Sequence, residues 1–565
     1  MRKALLVVFI GLMAFATVAA DTGDITRVSV RSNGDQANDV SFNPDVSADG
    51  RYTAFASDAT NLVEGDTNGA MDIFVHDRDT GATSRVSRDS GGTQGNFDSF
   101  RPAISDDGRY VAFCSYATNL APNDDNNVVD VFLHDRQTGS TFLVSKSIFG
   151  TSGNDVSCQY NVSLAQAYGP DISADGRYIV FESYASDLIG NDNNGYSDIF
   201  RYDRSSGSLI RVSVDSANFE ANGSSESPSI SADGNLVAFD SRAANLVSAD
   251  GNGYSDVFVR NISTGQTRRV SVKSDGTEGN GDSFEPEISD DGQFVTFSSF
   301  ANNLVSGDTN NYLDVFLHNR GNGQTERVSI ASDGTQSNTF ADIARPTVSG
   351  DGRFAAFQSY ATSLVSGDPN PDAADIYVRD RQTGTLFRAS ATTSSTGNQS
   401  SGEPSLSADG FYVGYSSKAT NLISGDTNGD RDIFLYQILE PPPPPPPPPP
   451  TLSVNYTSGA PGSYFQFNGA LFQQNEVTLV YVNGHYLGTV NADLGGNLVF
   501  QVRSFAASQE GAYGVTVYGS EGSATAVFFL NTAAPTRPQT SGTTFSLPAD
   551  SAYTNMMYLP IVANQ

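Results

Sequence analysis

The sequence has no tryptophan, two cysteines, four histidines, and only 32 lysines and arginines against 63 aspartates and glutamates. Each shortage removes a class of function. A net charge of −31 repels nucleic acid and anionic lipid head groups, which need basic side chains to neutralise phosphate. Two cysteines are too few for a thiolate zinc site, and neither a Cys-x-x-Cys nor a His-Glu-x-x-His pattern occurs. No Gly-x-Ser-x-Gly elbow is present. Carboxylates are abundant enough for a glycosidase pair, but abundance in turns is not a site. Lack of tryptophan weakens carbohydrate stacking, a role left to 24 tyrosines and 35 phenylalanines. No enzyme is expected.

Long apolar runs are also missing, apart from Ala4 to Phe15 behind the basic pair Arg2 and Lys3. That run is short for a membrane span and is followed by Val18-Ala19-Ala20, so residues 1–20 read as an export signal cut ahead of Asp21. An uncleaved anchor is the alternative. Membrane insertion further along is not expected. In an oxidising compartment an even cysteine count favours one disulfide, Cys114 to Cys158.

What the chain has is a repeat. SADGRYTAF, SDDGRYVAF, SADGRYIVF, SADGNLVAF, SDDGQFVTF, SGDGRFAAF and SADGFYVGY recur, with glycines at 50, 108, 176, 234, 292, 352 and 410. Each unit carries four short alternating runs divided by Gly, Asp and Asn turns, the signature of a propeller blade rather than a solenoid. The seventh unit stops after Asp432-Ile-Phe-Leu-Tyr436, before its own fourth strand, while Ile25 to Val30 precedes any complete unit. The expectation is an all-β chain: a seven-bladed β-propeller over residues 21–440, closed by N-terminal strand exchange so that no edge stays unpaired.

The Ser-x-Asp-Gly turn, the (Tyr/Phe)-x-(Ala/Val)-Phe strand and the Asp-(Ile/Val)-(Phe/Tyr) strand resemble the TolB-type propeller repeat, a relative of the WD-repeat blade, over roughly residues 25–440. The turn departs from that family in lacking its proline. The resemblance implies a platform for protein contacts, or an accessory domain, more readily than a chemistry.

Alternate connections of an up-and-down blade emerge on one face. The long second-to-third loops therefore share a face with the fourth-to-first connections, and this is the candidate binding surface. Cys114 and Cys158 both fall on it. So does a repeated acidic motif: Asp66/Asn68/Asp72, Asp124/Asn126/Asp130, Asp192/Asn194/Asp198, Asp250/Asn252/Asp256, Asp308/Asn310/Asp314, Asp368/Asn370/Asp375 and Asp426/Asn428/Asp432. Oxygen ligands at alternate loop positions suit Ca²⁺, although each loop offers about three where the ion takes about six to eight. Turn chemistry alone is the competing account. His76, His134 and His318 share one repeat position with Tyr202, Arg260, Arg379 and Tyr436, which marks them as structural. His485 stands beside an Asn-Gly turn with no evident partner.

Pro441 to Pro450 is an unbroken proline run, a rigid spacer of roughly 30 Å. Residues 451–531 read as a small β-sandwich. The segments PGSYFQFNG, VTLVYVNG and GAYGVTVYG resemble bacterial Ig-like modules of surface proteins. Residues 532–565 read as a disordered tail. The function expected is a secreted or cell-surface binding or scaffold protein of bacterial type that recognises a protein or glycan through the long-loop face, with calcium as a stiffening ion. The alternative is an extracellular hydrolase or lyase with its site at the central channel.

Overall fold

A computed structural model describes residues 23–158, 160–161, 166–167, 169–339, 346–367, 370–392, 396–438, 450–520, 522–540 and 543–547. The expected export signal lies outside them, as do Asp368 and nearly all of the proline run. The chain divides into two compact units, residues 1–441 and 442–565.

In the first unit the described residues form seven four-stranded antiparallel sheets, one per repeat, arranged as propeller blades. The first sheet is Ser41–Val46, Tyr52–Ser57, Asp72–Asp77 and Ala82–Arg85, in chain order. The last sheet takes three strands from the seventh repeat and its outer strand, Ile25–Arg27, from the start of the chain. Thr26 lies opposite Leu435 there. Each blade carries one aromatic pair linking its second and third strands, such as Phe113 with Phe132 or Tyr415 with Phe434, at centroid separations near 5.9 Å. These rings are nearly fully buried.

The Ser-x-Asp-Gly motif is a self-contained turn. Ser47 Oγ donates to Asp49 Oδ1 at 3.0 Å and accepts from the Tyr52 amide, while Asp49 accepts the Arg51 amide. Gly50 has φ +68°, and a Cβ there would stand 2.1 Å from the ring of Tyr412 in the preceding blade. Only glycine therefore fits beneath that aromatic. Each turn also donates a backbone amide to the carbonyl of a neighbouring turn: Ala48 to Asp106, Asp106 to Ala174, and so around to Asp409 to Ala48. This circle of peptide groups narrows the short-turn end of the channel.

The second unit packs a four-stranded sheet and a five-stranded sheet around a shared core that includes Phe465, Phe467, Phe500, Val515, Val517 and Phe528. It runs past residue 531. Thr543–Ser546 joins the first of these sheets beside Leu498–Arg503 in parallel, and Leu547 is buried. Part of the segment read as a tail is therefore a strand.

Candidate functional site

The acidic loops are the most regular polar feature of the blades. In every blade the Asp that opens the third strand accepts a buried serine hydroxyl from the fourth: Ser87 to Asp72, Ser145 to Asp130 and Ser213 to Asp198 at 2.5 Å, Ser390 to Asp375 at 2.6 Å, and likewise Ser271 to Asp256, Ser329 to Asp314 and Ser29 to Asp432. The loop Asn bonds across to the next connection, as Asn68 Nδ2 does to Asp72 and to the Gly95 carbonyl. Asn126, Asn194 and Asn252 repeat both bonds, and Asn310 and Asn428 repeat them at longer range. Asn370 reaches Gly397 in the same way.

Between the two acids sits a guanidinium. Arg85 lies 3.1 Å from Asp66 and 3.2 Å from Asp72. Arg269 reaches Asp250 and Asp256, Arg327 reaches Asp308 and Asp314, and Arg27 reaches Asp426 and Asp432. Arg388 holds Asp375 at 3.1 Å. In the third blade Asp192, Asp198 and Glu220 bring carboxylate oxygens within 4.8 Å of one another, a grouping that could hold a metal ion. Arg211 bonds Asp198 and Glu220 there and stands 3.5 Å from Asp192. These arginines come from the repeated Arg-Val-Ser of the fourth strand, a signal present in the sequence.

The second blade departs from this. Its fourth strand reads Phe142-Leu143-Val144-Ser145, and Leu143 faces the position held by arginine elsewhere. Asp124 Oδ1 is buried there without a hydrogen bond. Burial, then the charge of Asp125, push Asp124 up to about 6, and burial, then the charge of Asp124, push Asp130 up to about 7.

The three propeller histidines are bonded inside the blades through Nδ1, although Nε2 of His134 is buried without a partner. His76, His134 and His318 each place Nδ1 within 2.9 Å of a threonine hydroxyl on the adjacent strand, and burial lowers all three. Arg260 meets Thr267 in the same manner.

The central channel is lined by one Xaa-Pro-Xaa triplet from each innermost strand, around a cavity of about 230 Å³. The residues before proline include Asn43, Arg101, Ser227, Glu285 and Glu403, each left-handed at φ 50–58°. A bulge at this point turns these side chains and carries the strand register past the proline. Non-glycine residues held in this conformation in a cavity are a mark of function. After the proline come Asp45, Asp171 and Glu287 in alternate blades. Burial raises all three, Asp45 to about 6 and Asp171 to about 7. Asp45 and Asp171 also accept amides of the next blade, from Ile104 and Ile230, so they double as ties between blades.

On the long-loop side of this cavity stand Glu182, Glu226 and Asp240. Desolvation raises each, Asp240 to about 7 and Glu182 well above the usual range. Around the same mouth Phe100 packs on Tyr116 and Phe284 on Phe300, and Tyr116 and Phe300 are exposed. Glu182, Glu226 and Asp240 are confined to the third and fourth blades, so repeat-based reading passes over them. Only a comparison of repeat positions, one by one, exposes them.

Cys114 and Cys158 form a disulfide that pins the enlarged fourth-to-first connection to the second blade. Such bonds persist in oxidising compartments.

No family model and no curated protein matches the chain. Among solved structures it is similar to a protein of Agrobacterium tumefaciens described as TolB, at 14% identity and TM-score 0.33, over 63% of this chain and 93% of that one. It is similar to the periplasmic gluconolactonase of Pseudomonas aeruginosa at 17% identity and TM-score 0.29, over 61% and 83%. A fungal alcohol oxidase solved with copper covers 90% of this chain and 99% of its own at 11% identity and TM-score 0.37.

Proposed function

We propose that the chain is an exported binding protein that takes a glycan at the long-loop mouth of its central channel, with the second unit serving as an Ig-like module of a secreted or surface protein. The observation that carries this reading is the channel itself. Most of the regular acidic loops are neutralised from within by arginine, whereas the 230 Å³ cavity is lined by carboxylates together with Asn43 and Arg101, and Asn43 Nδ2 donates to Glu403 Oε1 at 2.6 Å across two neighbouring blades. Exposed Tyr116 and Phe300 offer flat apolar rings to a sugar face, and the carboxylates accept its hydroxyls. Titration of the full chain with a panel of neutral oligosaccharides tests it. Tyr116→Ala with Phe300→Ala is expected to weaken binding about tenfold, a loss of about 1.4 kcal/mol. Unchanged affinity in that variant, or no binding to any member of the panel, would sink the reading.

The hydrolase or lyase alternative draws on Asp240, raised to about 7, since a group poised near neutrality serves as acid or base, with Glu182 beside it raised by burial. Release of new reducing ends from the bound oligosaccharide is its signature. Calcium stiffening, in turn, is favoured by one observation: Leu143 leaves Asp124 and Asp130 of the second blade without the guanidinium found in the other blades.

A further inference from the structure

We infer that the channel wall from the third to the fourth blade is a calcium site built from Glu182, Glu226 and Asp240 with the hydroxyls of Ser197, Ser227 and Ser255. The second strands of these two blades place Glu182 and Asp240 where the other five have Ala56, Cys114, Ser298, Gln358 and Ser416. The residue before the third-strand Asp is Ser197 or Ser255 here, against Met71, Val129, Leu313, Ala374 and Arg431 elsewhere. Glu226 occupies the first-strand position held by Phe42, Phe100 and Phe284. Carboxylates at two of these repeat positions and serine at the third thus fall in two neighbouring blades and meet at one wall.

Four of the oxygens gathered there lack partners. Glu182 is 1% exposed, and neither Oε1 nor Oε2 has a hydrogen bond. Ser197 Oγ and Ser227 Oγ are buried and make no well-formed hydrogen bond, yet they stand near enough to Glu182 and Asp240 to favour their charged forms. Asp240 accepts only long bonds, from the Glu285 amide at 3.3 Å and Ser255 Oγ at 3.5 Å. Carboxylates removed from water are costly unless something pairs with them. Arg242 favours the charged form of Glu226 from a distance, but it is 65% exposed and turned to Asp282 at 3.5 Å. What the wall calls for is a cation that accepts many oxygens.

Two oxygens of Glu182, one each from Glu226 and Asp240, and three hydroxyls make seven, within the six to eight that Ca²⁺ takes. These carboxylates do not converge as closely as Asp192, Asp198 and Glu220 do, so the ion must draw in Glu226, the partly exposed member. The larger, flexible shell of Ca²⁺ tolerates that movement, and the tight octahedron of Mg²⁺ does not.

Equilibrium dialysis of the full chain against Ca²⁺ tests the site, in a Leu143→Arg background that fills the second-blade cage with an internal cation. One Ca²⁺ per chain is expected to remain bound, with a Kd of about 10⁻⁴ to 10⁻³ M. Glu182→Gln should weaken it at least tenfold, and equimolar Mg²⁺ should not displace it. Ser197→Ala with Ser255→Ala, which keeps every carboxyl, should weaken it about threefold and serves if Glu182→Gln does not fold. Loss of all Ca²⁺ in the Leu143→Arg protein, unchanged affinity in either wall variant, or displacement by Mg²⁺ would each overturn the assignment.

Discussion

The second and fourth blades carry the same acidic loop, yet they answer its charge differently. In the fourth, Arg269 lies between Asp250 and Asp256, and Ser271 and Asn252 complete a closed knot. In the second, Ser145 and Asn126 bond Asp130 in the same way, but Leu143 supplies no charge. The loop is therefore not a metal site by design of its acids alone. One strand residue decides whether those acids are internally matched or left to an ion from solution.

Making the fourth blade like the second should have the largest effect. Arg269→Leu leaves Asp250 and Asp256 unmatched, and removing one partner of a buried pair costs about 3–5 kcal/mol. Urea unfolding is expected to show a loss of that size in chelator, partly recovered in millimolar Ca²⁺; a change below about 1 kcal/mol would break the comparison.

A second contrast is between matched and unmatched carboxyls across the ring. Asp77 and Asp135 are held down to about 2 by Arg51 and Arg109, so their stabilising share exists above the unfolded value near 4 and is lost as pH falls toward 2. Asp45 and Asp171, raised by burial to about 6 and about 7, act with the opposite sign. Their share is complete below about 4 and is lost as pH rises through 6 and 7. Stability should therefore be highest near pH 4–5 and lower by several kcal/mol at pH 8, since each tenfold change in a buried carboxyl's proton affinity is worth about 1.4 kcal/mol. A urea midpoint that climbs steadily from pH 4.5 to 8 would contradict this.

The smallest effect is the converse swap. Leu143→Arg should raise stability by about 1.5–3 kcal/mol, the typical net worth of a hydrogen bond to a charged group. It should also remove that part of the calcium-dependent rise in Tm which comes from the second blade. If Tm in calcium rises equally in both proteins, the cage is not the ion's place.

The repeat made the blades legible. Seven Ser-x-Asp-Gly turns, with their glycines seated under aromatic rings, announce the sheets and their spacing. Ring closure followed from counting strands at the two ends. The partner of the acidic loops was equally visible as Arg-Val-Ser, but it stands 13 residues beyond the Asp it pairs with in the first blade, and loop chemistry read locally suggests a metal instead. The channel wall was harder still. Glu182 and Asp240 become meaningful only when aligned with Ala56 and Cys114, and what marks them is burial without partners, which no one-dimensional pattern records. Thr543–Ser546 was hidden for another reason: its pairing is parallel and distant in sequence, and its polar composition resembles a tail.

One consequence follows from the way the ring is fastened. Ile25–Arg27 pairs with residues more than 400 positions away, so the first strand synthesised waits for the last repeat to be made. Until then the growing chain exposes two free sheet edges, and a product cut short anywhere before Asp432 keeps them. Completion of synthesis thereby acts as the latch on the whole disc.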